Sequence, residues 1–279
     1  MTSFAPDRLR RTLTATPLAR RLERGAARDV DVSGFVRRRY PVAARRVAAI
    51  AQSSLAVGEW MAVDLFARLT AALTLANAPI DLVSAAAKIP SDEVRHADLA
   101  LRMAAALIEE DVQQPAIDAE RHVYLAAPLS LEDLDYAMLE MPAIGETLAC
   151  ALLSASRDGA KDPVARAVFS SLLRDEVHHA RLGWYYLAWR APRWTQAERQ
   201  RLADRCGEII VQIEHRFWRG RDVPRKHRDD ALALGVLDTA TQSTAIRRLM
   251  EEEMLPALDQ LGFGASRAWE VRRKAKRVG

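Results

Sequence analysis

From Pro41 onward, apolar side chains recur at the three- and four-residue spacing of a helix, with Val47, Ile50, Leu55, Ala62, Phe66, Leu69 and Leu73 continuing until Asn77-Ala78-Pro79. Pro41 suits a helix's first turn. A second helical stretch runs from about Asp81 to Glu110, and Pro90 inside it kinks or divides it. Residues 111–129, with Pro115 and Pro128, read as a long connection. Ser130-Leu-Glu-Asp133 resembles a capping box and opens a third helix to about Ala155, with Pro142 as a second kink or division. Asp162-Pro163 opens a fourth helix that lasts to about Arg190, before Pro192. Thr195-Gln-Ala-Glu198 is a fuller capping box and starts a fifth helix, to about Trp218. A last helix spans Asp238 to Met254, with Pro256 just beyond its end.

Strand signals are nearly absent, since aromatics are 6% of the chain and no run alternates with period two. The expectation is an all-α protein, and 279 residues with 49% apolar side chains suffice for one sizeable core. We take 1–279 as a single domain with a helical core at 41–190, further helices at 195–260, and basic tails at 1–30 and 268–279. Cys150 and Cys206 are the only cysteines, which excludes a disulfide framework and Cys-based zinc or iron–sulfur centres. The Arg-rich N-terminus has no apolar segment of the secretory kind. The longest apolar stretches carry Arg, Asp or Glu every few residues, so no bilayer span is expected and the cytoplasm is the expected compartment. The formal charge of +4 gathers at the ends, in Arg8, Arg10, Arg11, Arg20, Arg21 and Arg24 and in Arg272, Arg273, Lys274, Lys276 and Arg277. No nucleic-acid motif accompanies it, so solvated tails are the expectation and nucleic acid is not an expected partner.

The chemistry lies in an internal repeat. Asp92-Glu93-Val-Arg95-His96 on the second helix is matched by Asp175-Glu176-Val-His178-His179 on the fourth. Glu and His three residues apart share a helix face, close enough to ligate one metal ion or two neighbouring ions. One such pair means little; two in a chain with 6 histidines are informative. Each copy is preceded, one helix earlier, by a lone Glu in an apolar stretch: Glu59 lies 34 residues before Glu93, and Glu146 lies 30 before Glu176. If the first two helices reverse near residue 78, Glu59 and His96 both lie roughly 27 to 29 Å from the turn at about 1.5 Å per residue. Glu146 and Glu176 are similarly matched about a turn near 160. All six side chains can then meet at one level of a bundle. Carboxylate oxygens and neutral imidazoles suit iron or manganese.

A Glu from each of two helices plus Glu-x-x-His from two others resembles the ligand set of the ferritin-like di-iron carboxylate superfamily, across residues 41–190. That superfamily includes bacterioferritins, erythrins, desaturases and bacterial multicomponent monooxygenases. The resemblance implies a four-helix bundle with additional N- and C-terminal helices. It implies two iron ions (Fe/Fe, with Mn/Fe or Mn/Mn as variants) held by Glu59, Glu93, His96, Glu146, Glu176 and His179. It also implies that Asp92 hydrogen-bonds His179 and Asp175 hydrogen-bonds His96, fixing each ring. The Gly-Glu-Thr-Leu-Ala around Glu146 resembles uncharacterised bacterial ferritin-like proteins of oxygenase type. There are no rubredoxin-type Cys pairs. Ala100 and Gly183 stand four residues after the two histidines, where a radical tyrosine would be needed. Leu172 stands where the arylamine N-oxygenases add a histidine. In the monooxygenases a Thr lines the oxygen pocket four residues after the Glu that corresponds to Glu146; Cys150 takes that position here, either tuning the pocket or filling space.

Small residues near the ligands (Ala56, Ala143, Ala149) could leave room for a substrate. The leading expectation is an oxidoreductase that activates O2 to hydroxylate, N-oxygenate or desaturate a small organic molecule. Its electrons come from an external donor, a ferredoxin or reductase, and it is a monomer or small homo-oligomer. The alternative is ferroxidase, iron storage or peroxide scavenging without an organic substrate. A metal-free helical interaction protein requires the constellation to be accidental. Asp64 should pair with Arg68, His178 either touches the ligands or faces solvent, and His122, His215 and His227 read as surface residues.

Overall fold

The computed structural model describes residues 30–108, 129–217 and 223–275, and every regular element among them is helical. Helix α1, Val42–Leu75, is the longest. It ends where Asn77 turns into the left-handed region (φ 51°) and Ala78 N–H bonds Leu73 O at 3.0 Å. Asparagine tolerates that backbone because its short side chain meets little steric penalty. The chain reverses through α2 (Ile80–Ala86) into α3 (Ile89–Leu107), with Pro90 in the first turn of α3. Pro90 therefore divides the predicted second helix, at the position where a missing N–H costs nothing. The last carbonyls of α3 receive Arg37 Nε (Ala106 O, 2.8 Å) and Arg45 Nη1 (Leu107 O, 2.7 Å), cations at the negative end of the helix. The predicted connection at 111–129 and the basic stretch at 1–29 lie outside the described residues, save Leu129.

Ser130 and Asp133 form the anticipated capping box at the start of α4, Leu131–Met138. The next turn, Leu139–Gly145, is π-helical and holds Pro142; α5, Glu146–Gly159, follows directly. Proline cannot donate to the carbonyl four residues back and its ring collides with it. The widened turn accommodates this, and Glu146 N–H bonds Met141 O, five residues back. Asp162 caps α6, Pro163–Arg190, by accepting from Val164 N–H and Ala165 N–H. Helix α7 is Gln196–Phe217, opened by the Thr195–Glu198 box.

The C-terminal part departs from expectation. A short α8, Arg228–Ala233, precedes α9, Thr239–Leu249. Pro256 does not end the last helix. A second π turn, Met250–Met254, widens the chain ahead of it, and α10 (Leu255–Gln260) carries Pro256 in its first turn. Residues from 268 on are not a tail at first: α11 spans Ala265–Ala275 and buries Ala265 and Trp269.

Helices α1 and α3 pack antiparallel, as do α5 and α6, and α3 meets α6 between the two pairs. The C-terminal helices lie outside: α9 on α5, α7 on α4 and the π turn, and α11 on α7. Apolar side chains form two half-cores. One contains Phe66, Leu69 and Leu73 of α1 with Leu182 and Tyr186 of α6; the other contains Ala44 and Ala48 of α1 with Leu99 and Met103 of α3 and Val168 and Leu172 of α6. Between them on α1, α3 and α6 lie the glutamates and histidines of the repeat.

Two details fix how the helices meet. Asp135 (2% exposed) accepts from Tyr186 Oη at 2.6 Å, from Arg190 Nε and Nη2 at 2.8 Å each, and from Trp194 Nε1 at 2.9 Å, which clamps α4 to the end of α6. Gly183 lets α6 touch the π turn, since a Cβ there would stand 2.2 Å from Ala143 N. The stretch Leu131–Gly159 is long and apolar enough to cross a membrane by length and composition (mean hydropathy 1.3), contrary to the reading from charge spacing. Half of that apolar window is buried inside the protein, and Asp135 and Glu146 on the same stretch are buried too, as in a core helix.

Gly183→Ala should lower unfolding stability by about 1–3 kcal/mol, because backbone on the facing turn cannot yield to a methyl group. Gly58→Ala, where a Cβ meets nothing within 4 Å, should instead raise it by about 0.5–1 kcal/mol. Urea midpoints of the two variants check both signs.

Candidate metal centre

Glu59 comes from α1, Glu93 and His96 from the second turn of α3, Glu146 from the first residue of α5, and Glu176 and His179 from the middle of α6. His96, Glu93, His179 and Glu176 are 0–2% exposed, and Glu59 and Glu146 are 8% exposed. His96 Nδ1 lies 3.0 Å from Glu176 Oε1, 3.4 Å from Glu93 Oε2 and 3.9 Å from Glu59 Oε2. His179 Nδ1 lies 3.0 Å from Glu176 Oε2 and 3.2 Å from Glu93 Oε1. The ligand-type atoms form two groups, Glu59–Glu93–His96–Glu176 and Glu146–Glu176–His179, each with all atoms within 4.8 Å of one another. Both groups could hold a metal ion, and Glu176 belongs to both.

The far side of each ring meets an aspartate from the opposite copy of the repeat. His96 Nε2 is 3.2 Å from Asp175 Oδ2, and His179 Nε2 is 3.6 Å from Asp92 Oδ2. Arg95 Nη2 ties the two acids together, at 3.1 Å from Asp92 Oδ1 and 2.6 Å from Asp175 Oδ2. Arg95 had no role assigned from the sequence, although its place three residues after Asp92 on one helix face was a usable signal.

Burial and charge sort the six groups. Burial pushes Glu59 and Glu146 well above the usual carboxylate range; neighbouring Glu176 and Glu93 add to this, against His96 at Glu59 and His179 at Glu146. Burial also opposes ionisation of Glu93 and Glu176, but the contacts from His179 and His96 outweigh it and hold both low, Glu176 at about 2. Burial pulls the imidazoles down, yet Asp175 and Glu176 raise His96 well above 6.5, and Asp92, Glu176 and Glu93 raise His179 to about 12. Without metal, burial therefore favours the neutral form of Glu59 and Glu146, whereas the surroundings of Glu93 and Glu176 favour the carboxylate and those of both rings the protonated imidazole.

The residues fit a metal pair. Glu93 Oε1 and Oε2, Glu176 Oε1 and His96 Nδ1 are buried and none makes a hydrogen bond. Unsatisfied buried polar atoms are costly, and several facing one another across a gap are what metal coordination would satisfy. Hard oxygens with imidazole nitrogens suit iron, manganese or zinc in preference to soft metals.

A cavity of about 270 Å³ adjoins this layer, and Glu59, Glu146 and Glu176 form part of its wall. Of the small residues expected to make room, Ala149 lines it, whereas Ala56 and Ala143 are fully buried and Ala143 packs against Gly183. Cys150 is not among the lining residues. Positions 149, 153 and 156 of α5 turn to one side of Glu146, while 150 turns about 40° to the other. Burial pushes the Cys150 thiol up to about 12, with the Glu176 and Glu146 charges adding to it, so it is not a thiolate in the metal-free protein.

The remaining wall was not foreseen. It includes Gln52 and Phe169 and a C-terminal segment: Gly235, Val236, Leu237 and Gln242. Gln52 could have been found, because it lies two turns before Glu59 on the same face of an Ala-rich stretch. Gly235 has φ 81°, and a Cβ there would come within 2.2 Å of Phe169. Elsewhere Asp64 pairs with Arg68 at 2.9 Å, Leu172 is buried in a half-core, His178 is exposed and His227 is half-buried. His122 lies outside the described residues, as does the side chain of His215.

Loading the site at about pH 7 with manganese(II) should expel the protons that both imidazoles hold, and the raised Glu59 and Glu146 add to the release, so affinity rises with pH. A pH-stat titration reads the release directly; none would contradict the charge assignment. The metal-free fold shows the opposite trend. The raised imidazoles stabilise it fully below about 6.5 and progressively less as pH climbs toward their folded values. Its Tm should therefore fall between about pH 6 and pH 9. No protein-family model, curated protein or solved structure matches the chain.

Proposed function

We propose that this chain is a ferritin-like four-helix di-iron carboxylate protein that uses O2 to oxidise a small organic substrate. The observation that carries the reading is the shared wall: Glu59, Glu146 and Glu176 belong both to the metal-capable groups and to a largely apolar cavity. A store of iron has no use for an apolar chamber beside its acids; a site that oxidises an organic molecule needs one.

Glu59, Glu93 and His96 would hold one ion, Glu146 and His179 the other, and Glu176 would reach both. Bound iron would supply the redox chemistry for reducing dioxygen, with manganese as a variant the same ligands accept. Asp175 holds the His96 ring by its outer nitrogen and Asp92 stands 3.6 Å from that of His179, leaving each Nδ1 directed at the carboxylates. Arg95 keeps those two acids charged and in place. Leu55, Leu152, Phe169 and Val236 give the chamber its apolar wall. The electrons come from outside the chain, from a ferredoxin or reductase.

Iron analysis after aerobic growth should find about two irons per chain, and Glu93→Ala or Glu176→Ala should lose at least one. Asp92→Asn and Asp175→Asn should keep the metal but weaken its binding by about 10–100-fold. Full occupancy in both Glu variants would remove the assignment. The C-terminal helices cover the outer faces of α5 and of α4 with its π turn, faces a hollow shell would need for assembly. Size-exclusion chromatography with iron counting should show a monomer or small oligomer that keeps about two irons in excess ferrous iron and oxygen. A large assembly that accumulates tens of irons per chain would put storage in place of oxidation.

A further inference from the structure

We infer that the cavity receives a small uncharged molecule with an apolar body and one hydrogen-bond-donating end, an O–H or N–H, which Gln52 Oε1 accepts. That such a molecule is oxidised there rests on the function proposed above; the binding chemistry rests on the cavity alone.

Gln52 is 3% exposed, lines the cavity, and its Oε1 is buried with no hydrogen-bond partner. A buried carbonyl in that state is costly, and a donor brought in by a ligand would relieve it. Seven residues separate Gln52 from Glu59, so the two stand about 10 Å apart along one face of α1. A ligand anchored at Gln52 therefore extends its other end toward Glu59, Glu146 and Glu176. The rest of the wall is mostly apolar, with Ala51, Leu55, Leu152, Phe169, Val236 and Leu237, and Ser156 and Gln242 are its other uncharged polar side chains.

Charge decides the class. No Lys, Arg or His lines the cavity, and all its ionisable residues are acids, so a carboxylate or phosphate ligand has no side-chain counter-ion. A cation would have to compete with the metals for the three glutamates. Size decides the rest: about 270 Å³ falls just below the roughly 300–1,000 Å³ of sites for drug-sized ligands.

The test uses the full chain, with and without manganese(II), titrated calorimetrically with 1-hexanol, with 1-methoxypentane of the same size but no donor, and with hexanoate. Hexanol should bind, with the ether weaker by about three- to tenfold and hexanoate weaker still. Gln52→Leu should abolish the preference for hexanol over the ether while metal content stays unchanged. Ala149→Leu, which fills space beside Glu146, should weaken hexanol and ether alike. Hexanoate binding as tightly as hexanol, or a hexanol preference that survives in Gln52→Leu, overturns the inference. A metal-loaded chain that binds none of the probes overturns it too while leaving the metal centre standing. A chain that takes no metal yet binds hexanol through Gln52 does the reverse.

Discussion

Four glutamate carboxyl groups and two imidazoles are buried in one layer, and the architecture follows from making that tolerable. An isolated buried charge costs several kcal/mol, so none of these groups can be placed alone. Each imidazole lies between glutamates on one side and an aspartate from the opposite repeat on the other, hydrogen-bonded to it at His96 and 3.6 Å from it at His179. The cost of misplacing any one group fixes the relative heights of α1, α3, α5 and α6. It also explains why the apolar core comes in two halves: the layer crosses the interior, and the hydrophobic contacts form above and below it.

Register is the quantity the remaining devices protect. Glu146 follows directly on the π turn that Pro142 requires, and one additional residue in a helix rotates everything after it by about 100°. Without that insertion Glu146 would face elsewhere. Gly183 allows α6 to lie against the widened turn, and Asp135 pins α4 through Tyr186, Arg190 and Trp194. These residues touch no ligand atom. They act on the site by fixing where one helix begins.

Much of this was legible because the signals are local and periodic. The capping boxes at Ser130 and Thr195, the Asp162 cap, and the paired Asp-Glu-x-x-His motifs depend on residues at most four apart, and each sits on a helix as the pattern implies. The layer's composition could be read from spacing as well. What escaped depends on tertiary partners. Pro256 resembles a terminator until the π turn before it is seen, and Trp269 resembles part of a basic tail until α7 is beside it. Cys150 was placed by counting residues from Glu146, but which side of α5 the cavity occupies is decided by segments nearly a hundred residues later. The stretch Leu131–Gly159 passes a compositional test for a membrane because its central acids are diluted by the alanines and leucines that pack the core.

The loop from Ala233 to Asp238 has a consequence beyond packing. It is tied down independently of the ligand layer: Lys161 N–H and Asp162 N–H both bond Ala233 O, Arg228 pairs with Asp238, and Asp238 in turn caps α9. The floor of the chamber is thus built by the helices of the repeat, and its ceiling by a separately anchored span. A change at Val236 or Leu237 reshapes the ceiling and leaves the three floor glutamates, Glu59, Glu146 and Glu176, on their own helices. Drift in the C-terminal third can thus change the shape of the chamber while the cluster of acids and imidazoles is inherited intact.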